Sequence, residues 1–117
     1  MDQEEVIGRF VKRVARKFKP QAILLFGSRA RGDALVHSDY DFIIISEQFR
    51  GMHWLDRISA IAGLWDSYEG IDIVPYTPEQ FKERRSNSIT IRDAIKYAKV
   101  VYGQVPDSQS QRQRKAA

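Results

Sequence analysis

Residues 26–42 constrain the fold of this chain more than any other stretch, because two apolar runs there flank a small-residue turn and a pair of carboxylates. Ile23-Leu24-Leu25-Phe26 ends at Gly27-Ser28, and Phe42-Ile43-Ile44-Ile45 follows directly on Asp39-Tyr40-Asp41. Short apolar runs of this kind read as buried strands, and the Gly-Ser pair punctuates the first of them. For the turn that ends one strand to meet the acids that begin the next, the two strands must be antiparallel. Side chains two apart on a strand share a face, roughly 6.6 Å from each other. Asp39 and Asp41 therefore point one way and Tyr40 the other. Two carboxylates so placed repel and raise each other's pKa unless a cation sits between them. Mg²⁺ takes hard oxygen ligands and is commonly shared with substrate phosphates. Gly27 lets backbone approach a ligand with no Cβ in the way. A helix beginning at Ser28 would offer its first N–H groups to an anion, with the Ser28 hydroxyl as a further donor. Phosphate cradle and metal ligands side by side point to chemistry on a metal–nucleotide.

A third acid lies downstream. Gly70-Ile71-Asp72-Ile73-Val74-Pro75 reads as another strand, with Asp72 between two β-branched residues. A carboxylate facing into an apolar strand is costly unless it is paired or bound to metal. Placed beside the Phe42–Ile45 run, this strand would bring three carboxylates to one site. Two-metal nucleotidyl transfer needs that arrangement, one metal activating the attacking oxygen and the other steadying the leaving pyrophosphate.

Gly27-Ser28-Arg29-Ala30-Arg31-Gly32, then Ser38-Asp39-Tyr40-Asp41, then Asp72 in Ile-Asp-Ile-Val together resemble the nucleotidyltransferase superfamily that includes DNA polymerase beta. The small size and the Gly-Ser-Arg-Ala-Arg-Gly-Asp run are similar to the minimal nucleotidyltransferases, short prokaryotic proteins often paired as antitoxin with a HEPN-domain toxin. The resemblance spans about residues 1–103. It departs at Leu35-Val36-His37, more apolar than the usual linker, and at Tyr40, where an aliphatic residue is usual. The resemblance implies a polymerase beta-like α/β (α+β) fold with a small mixed sheet of three to four strands. It implies ATP as substrate and two Mg²⁺ ions on the catalytic Asp39, Asp41 and Asp72. It also implies nucleotide contacts from Gly27, Ser28, Arg29 and Arg31, and transfer of AMP to a hydroxyl on a HEPN-type toxin. Two alternatives stand beside this reading: a non-catalytic antitoxin that masks its toxin, and nucleotidyl transfer to a small molecule such as an aminoglycoside.

The rest of the chain supplies a frame for such a site. Val6, Ile7, Phe10, Val11, Val14, Ala15 and Phe18 recur at helical spacing, predicting a helix over 3–18 that ends before Pro20. Its other face carries Arg9, Lys12, Arg13, Arg16 and Lys17, read first as a solvated surface and, as the alternative, as a partner or nucleic-acid contact. Residues 47–53 read as a loop. Trp54, Leu55, Ile58, Ile61, Ala62, Trp65 and Tyr68 mark a second amphipathic helix, long enough for a parallel crossover. Trp54 and Trp65 share a face of that helix and read as core. Thr77-Pro78-Glu79-Gln80 is a helix start with a capping box. Ile91, Ala94, Ile95 and Ala98 predict a last helix, leading to a short apolar end at Val100-Val101-Tyr102-Gly103.

Composition narrows the class. A chain of 117 residues with 43% hydrophobic side chains builds one core. Residues 1–106 are expected to form the nucleotidyltransferase domain, and 107–117, which lack apolar side chains large enough to anchor them, a disordered basic tail. That tail holds three cations against one anion; the preceding 106 residues hold sixteen against fourteen, so the folded part is expected to be only mildly basic and its acceptor not a nucleic acid. There is no cysteine, which excludes disulfides and thiolate metal sites, and the acidic Met-Asp-Gln-Glu-Glu start is unlike a signal peptide. No apolar run approaches the roughly 20 residues that span a membrane. A cytoplasmic location is the expectation. His37 and His53 lack metal-ligand spacing, so a zinc site is set aside. No Lys-Ser or Lys-Thr follows Gly32, so the glycines do not form a P-loop.

Overall fold

The computed structural model describes residues 2–35 and 37–105. The expected tail, 107–117, lies outside the described residues. Helix α1 runs Gln3–Phe18, strand β1 Ala22–Phe26, the one-turn helix α2 Ser28–Arg31 and strand β2 Tyr40–Ile45. Helix α3 (Trp54–Ala62), strand β3 (Ile71–Tyr76), helices α4 (Pro78–Asn87) and α5 (Ile89–Lys96) and strand β4 (Lys99–Gly103) follow. The four strands form one mixed sheet in the order β3-β2-β1-β4. β1 is antiparallel to β2 and to β4, while β2 and β3 are parallel, with α3 as the crossover. The expected α/β (α+β) class, the antiparallel β1–β2 pair and the upper count of four strands all agree with this.

Local chemistry sets the elements. Asp2 caps α1 by accepting from the Glu5 N–H at 2.8 Å. Lys19 closes it in the left-handed conformation, its N–H donating to the Ala15 carbonyl, before Pro20 prevents continuation. Val6, Phe10, Val14 and Phe18, four residues apart, bury one stripe of α1 against the sheet. On that face Phe10 meets Phe42 and Trp65, with ring centroids 4.8 and 5.2 Å apart, and Ile61 of α3 joins them. The opposite face carries Leu24, Ile43, Ile45 and Tyr76 beneath Phe81 of α4, with Ile91 and Ile95 of α5 packed alongside. The sheet is therefore sandwiched between helices.

Three expectations are corrected. Residues 47–53 are not wholly loop, since Glu47–Phe49 form a 3-10 turn capped by the Ser46 hydroxyl. The second amphipathic helix stops at Ala62 rather than reaching Tyr68. There Leu64 and Trp65 switch to bonds three residues back, to Ile61 and Ala62, while Arg9 and Arg13 of α1 hold Asp66 at 2.9 and 3.0 Å. Trp54 and Trp65 consequently do not share a helix face. Trp65 packs into the core beyond the helix end, and Trp54, 39% exposed, leans on Tyr76. The Thr77–Gln80 capping box with Pro78 forms as expected.

Arg57 ties one end of the fold together. It is 5% exposed and donates to the carbonyls of Met52 and Pro75, at 3.0 and 3.1 Å, and to Gln80 Oε1 at 2.7 Å. Pro75 itself is accommodated because β3 is an edge strand. Arg57→Leu leaves a buried carbonyl and the capping glutamine without their donor. The expected loss is about 2–4 kcal/mol, read as a lower urea midpoint at unchanged slope.

Candidate active site

The β2–β3 register decides which acids meet. Asp41 pairs directly with Asp72, and Asp41 also sits opposite Phe26, the residue before the Gly27 turn. Parallel neighbours lie about 4.8 Å apart, so both carboxylates leave one sheet face at one end. Strand alternation puts them on the face covered by α4 and α5, with Phe26 and Val74. Tyr40 faces the other way, into the core against Trp65, as the alternation predicts. Asp39 falls just outside β2, which starts at Tyr40.

Each paired acid lies against a glycine. Gly27 has φ +71°, and a Cβ there would overlap Asp41 Oδ2. A Cβ on Gly70 would overlap Asp39 Oδ1 and stand 2.9 Å from its Cγ. Gly70 was not singled out in the sequence; its signal is its place directly before β3, where its carbonyl accepts from the Tyr40 N–H at 2.9 Å. Helix α2 is a single turn, with the Ala30 and Arg31 N–H groups both returning to the Gly27 carbonyl. A helix this short has little macrodipole, so any anion binding here rests on local donors.

The two arginines separate. Arg29 spends its fork on the Ser38 carbonyl, at 2.7 and 3.2 Å, and on Gln3 Oε1, with its guanidinium 4.1 Å over the Tyr40 ring. It lines a cavity of about 420 Å³ with Gln3, Val6, Arg9 and Tyr40 on the α1 side, whose lining includes none of the three acids. Arg31 is exposed, bonds Asp33 at 3.3 Å and lowers the Asp41 pKa. Arg29 thus fixes the approach to Asp39, while Arg31 stands on the side of the acids. The loops before β2 and β3 are joined by His37 Nδ1 and Glu69, 3.3 Å apart.

Electrostatics agree with this geometry. The Asp41 carboxyl is pushed above its ordinary value, first by burial, then by Asp72, then by Asp39, with Arg31 opposing. Among the described residues no group of three or more His, Cys, Asp or Glu is gathered tightly enough to ligate a metal ion. The donor set nevertheless fits a hard divalent cation: it is all carboxylate, and its mutual repulsion is what such a cation would relieve. Strand register holds Asp41 beside Asp72.

Residues 7–111 match the model of the nucleotidyltransferase domain family. No curated protein matches the chain. Among solved structures, a Sulfolobus solfataricus protein assigned as a nucleotidyltransferase aligns with TM-score 0.60 at 21% identity, over 87% of this chain and 81% of that one. BolA1 from Arabidopsis thaliana aligns with TM-score 0.51 at 19% identity, over 62% of this chain and 92% of that one. A toxin–antitoxin structure with AMP-PNP aligns with TM-score 0.48 at 20% identity, over 91% and 86%, too remote a likeness to bear on this chain. The first two are likenesses of fold.

Two outcomes test the site. Asp41 binds a proton in the folded state at pH values where the unfolded chain does not. The metal-free protein should therefore gain stability from this group as pH falls from neutral through its raised pKa. Asp41→Asn should raise the neutral-pH melting temperature and remove that part of the dependence, in melts recorded with EDTA. Gly27→Ala forces a Cβ onto the Asp41 carboxylate at positive φ, and should cost about 1–3 kcal/mol, measured by urea unfolding.

Proposed function

The chain belongs to the nucleotidyltransferase domain family, and on that footing we propose that it transfers AMP from ATP to a hydroxyl group in a Mg²⁺-dependent reaction. The observation that carries the reading is the parallel register that sets Asp41 beside Asp72, with Asp39 and the Gly27 turn at the same end of the sheet. Gly27 and Ser28 face the triphosphate, and Arg31 adds a positive charge there. Arg29, bound to the Ser38 carbonyl, acts by holding the loop that delivers Asp39. Asp39 and Asp41 would hold Mg²⁺, with Asp72 available to a second ion. When bound, the metal would supply charge neutralisation for the phosphates and lower the pKa of the acceptor hydroxyl. The hydroxyl oxygen bonds to the α-phosphorus, the bond from that phosphorus to the bridging oxygen breaks, and pyrophosphate leaves. The acceptor proton passes toward Asp72 and solvent. Most of the rate comes from positioning and preorganised charge.

The acceptor we propose is a hydroxyl on a partner protein. The resemblance to the minimal nucleotidyltransferases names a HEPN-type toxin, which this chain would neutralise as antitoxin in the cytoplasm. With purified partner, Mg²⁺ and ATP, intact-mass spectrometry should show the partner gaining AMP-sized steps. Asp39→Asn with Asp41→Asn, and separately Asp72→Asn, should stop the gain without lowering the melting temperature, since each removes a repelling charge. Mg²⁺ with ATP should stabilise the wild type and not the double variant. Neutralisation that survives in an inactive, folded variant would point to masking.

A further inference from the structure

Asp39 meets the entry of β3 at Gly70, more closely than a side chain there would allow. A Cβ built on Gly70 would overlap Asp39 Oδ1 and stand 2.9 Å from its Cγ. Gly70 is not among the glycines with positive φ, so its backbone does not itself exclude a side chain. Glycine serves space alone at this position, whereas at Gly27 it serves both space and conformation. Both backbones are tied down. The Glu69 carbonyl accepts from the Trp65 indole N–H at 2.8 Å, and the Gly70 carbonyl from the Tyr40 N–H at 2.9 Å. Trp65 in turn packs on Phe10 and Tyr40. On the far side of Asp39, the Ser38 carbonyl accepts from Arg29 at 2.7 and 3.2 Å. Asp39 itself is exposed. Of the two partners in this contact, the Asp39 side chain is therefore the one that would yield to any atom added at position 70.

We infer, on the strength of the metal role proposed for Asp39, that Gly70 is a positioning residue of the reaction. Its bare Cα, held by the hydrogen bonds of Trp65 and Tyr40, keeps the Asp39 carboxylate turned toward the start of β3, the strand that carries Asp72. A side chain at position 70 would evict that carboxylate. Turning χ2 moves only the oxygens and leaves Cγ too close to the added carbon, so χ1 must change well. A step to the next staggered well carries Cγ by roughly 2.5 Å. That exceeds a whole Mg–O bond of about 2.0–2.1 Å, and Mg²⁺ tolerates little departure from octahedral geometry. Asp39 would leave the coordination sphere while the sheet stayed as it is.

The test uses the full chain with neither ATP nor a partner. Mn²⁺, which takes the same oxygen ligands as Mg²⁺, is the probe, followed by paramagnetic broadening of amide NMR signals. In the wild type Mn²⁺ should broaden Tyr40, Asp41 and Asp72. Gly70→Ala should raise the concentration required about tenfold or more. Tyr68→Ala, two residues away at a fully exposed side chain, should leave it unchanged. Thermal melts in EDTA separate positioning from folding. Asp39→Ala lacks the atoms that a Cβ at position 70 would strike. In that background Gly70→Ala should raise the melting temperature, because alanine restricts the unfolded chain. In the wild type the same substitution should lose that gain. A glycine with a merely structural role would give equal changes in the two backgrounds, and that result would overturn the proposal. So would Mn²⁺ binding by Gly70→Ala equal to that of the wild type, or a double variant, Asp39→Ala with Gly70→Ala, that does not fold. Absence of broadening at the acids of the wild type would overturn the metal reading itself, and the role of Gly70 with it.

Discussion

Holding three carboxylates at one end of a small sheet is the constraint on which this structure turns. Nothing in the apolar core favours it. Asp41 is partly buried beside Asp72, and its carboxyl is pushed up by burial and by both neighbouring acids. The remainder of the fold opposes that repulsion by rigidity. The β2–β3 ladder fixes the register, and the aromatic cluster of Phe10, Tyr40, Phe42 and Trp65 fixes the face that β2 presents inward. Glycines at 27 and 70 leave room for the carboxylates to turn aside. A site that resists its own assembly in this way is one that a cation stabilises.

Much of this was legible in the chain because strand and turn chemistry are local. Period-two alternation through Asp39-Tyr40-Asp41 put Tyr40 inside, and Pro78 after Thr77 announced α4. The elements misread depended on contacts across the sequence. The second helix seemed to run to Tyr68 because its apolar spacing persists, yet Arg9 and Arg13, more than fifty residues earlier, draw Asp66 into another path. Arg29 and Arg31 look alike in a Gly-Ser-Arg-Ala-Arg-Gly run, but a one-turn helix sends them to different sides. Gly70 gained its importance only from the approach of Asp39, which no local pattern records.

Charge shows the same limit of averaging. Counting residues placed the folded part near neutrality, while folding sorts its ions by surface. Arg9 and Arg13 on α1 are tied to Asp66, and Arg50 bridges Glu47 and Glu79. Arg92 and Lys96 of α5 form no ion pair among the described residues, although exposed Asp93 lies in the same stripe.

Pro75 gives the sheet a direction. β3 forms one outer edge, and a strand pairing with it would find no amide hydrogen at Pro75 and the charge of Asp72 along the same stretch. Proline and charge are what keep exposed edges from recruiting further strands. The β3 edge is thereby closed to β-augmentation, and any extension of the sheet by another polypeptide must begin at β4. The molecule is polar in the sense of a terminated crystal face: growth is blocked on the side of Asp72 and left open on the opposite side.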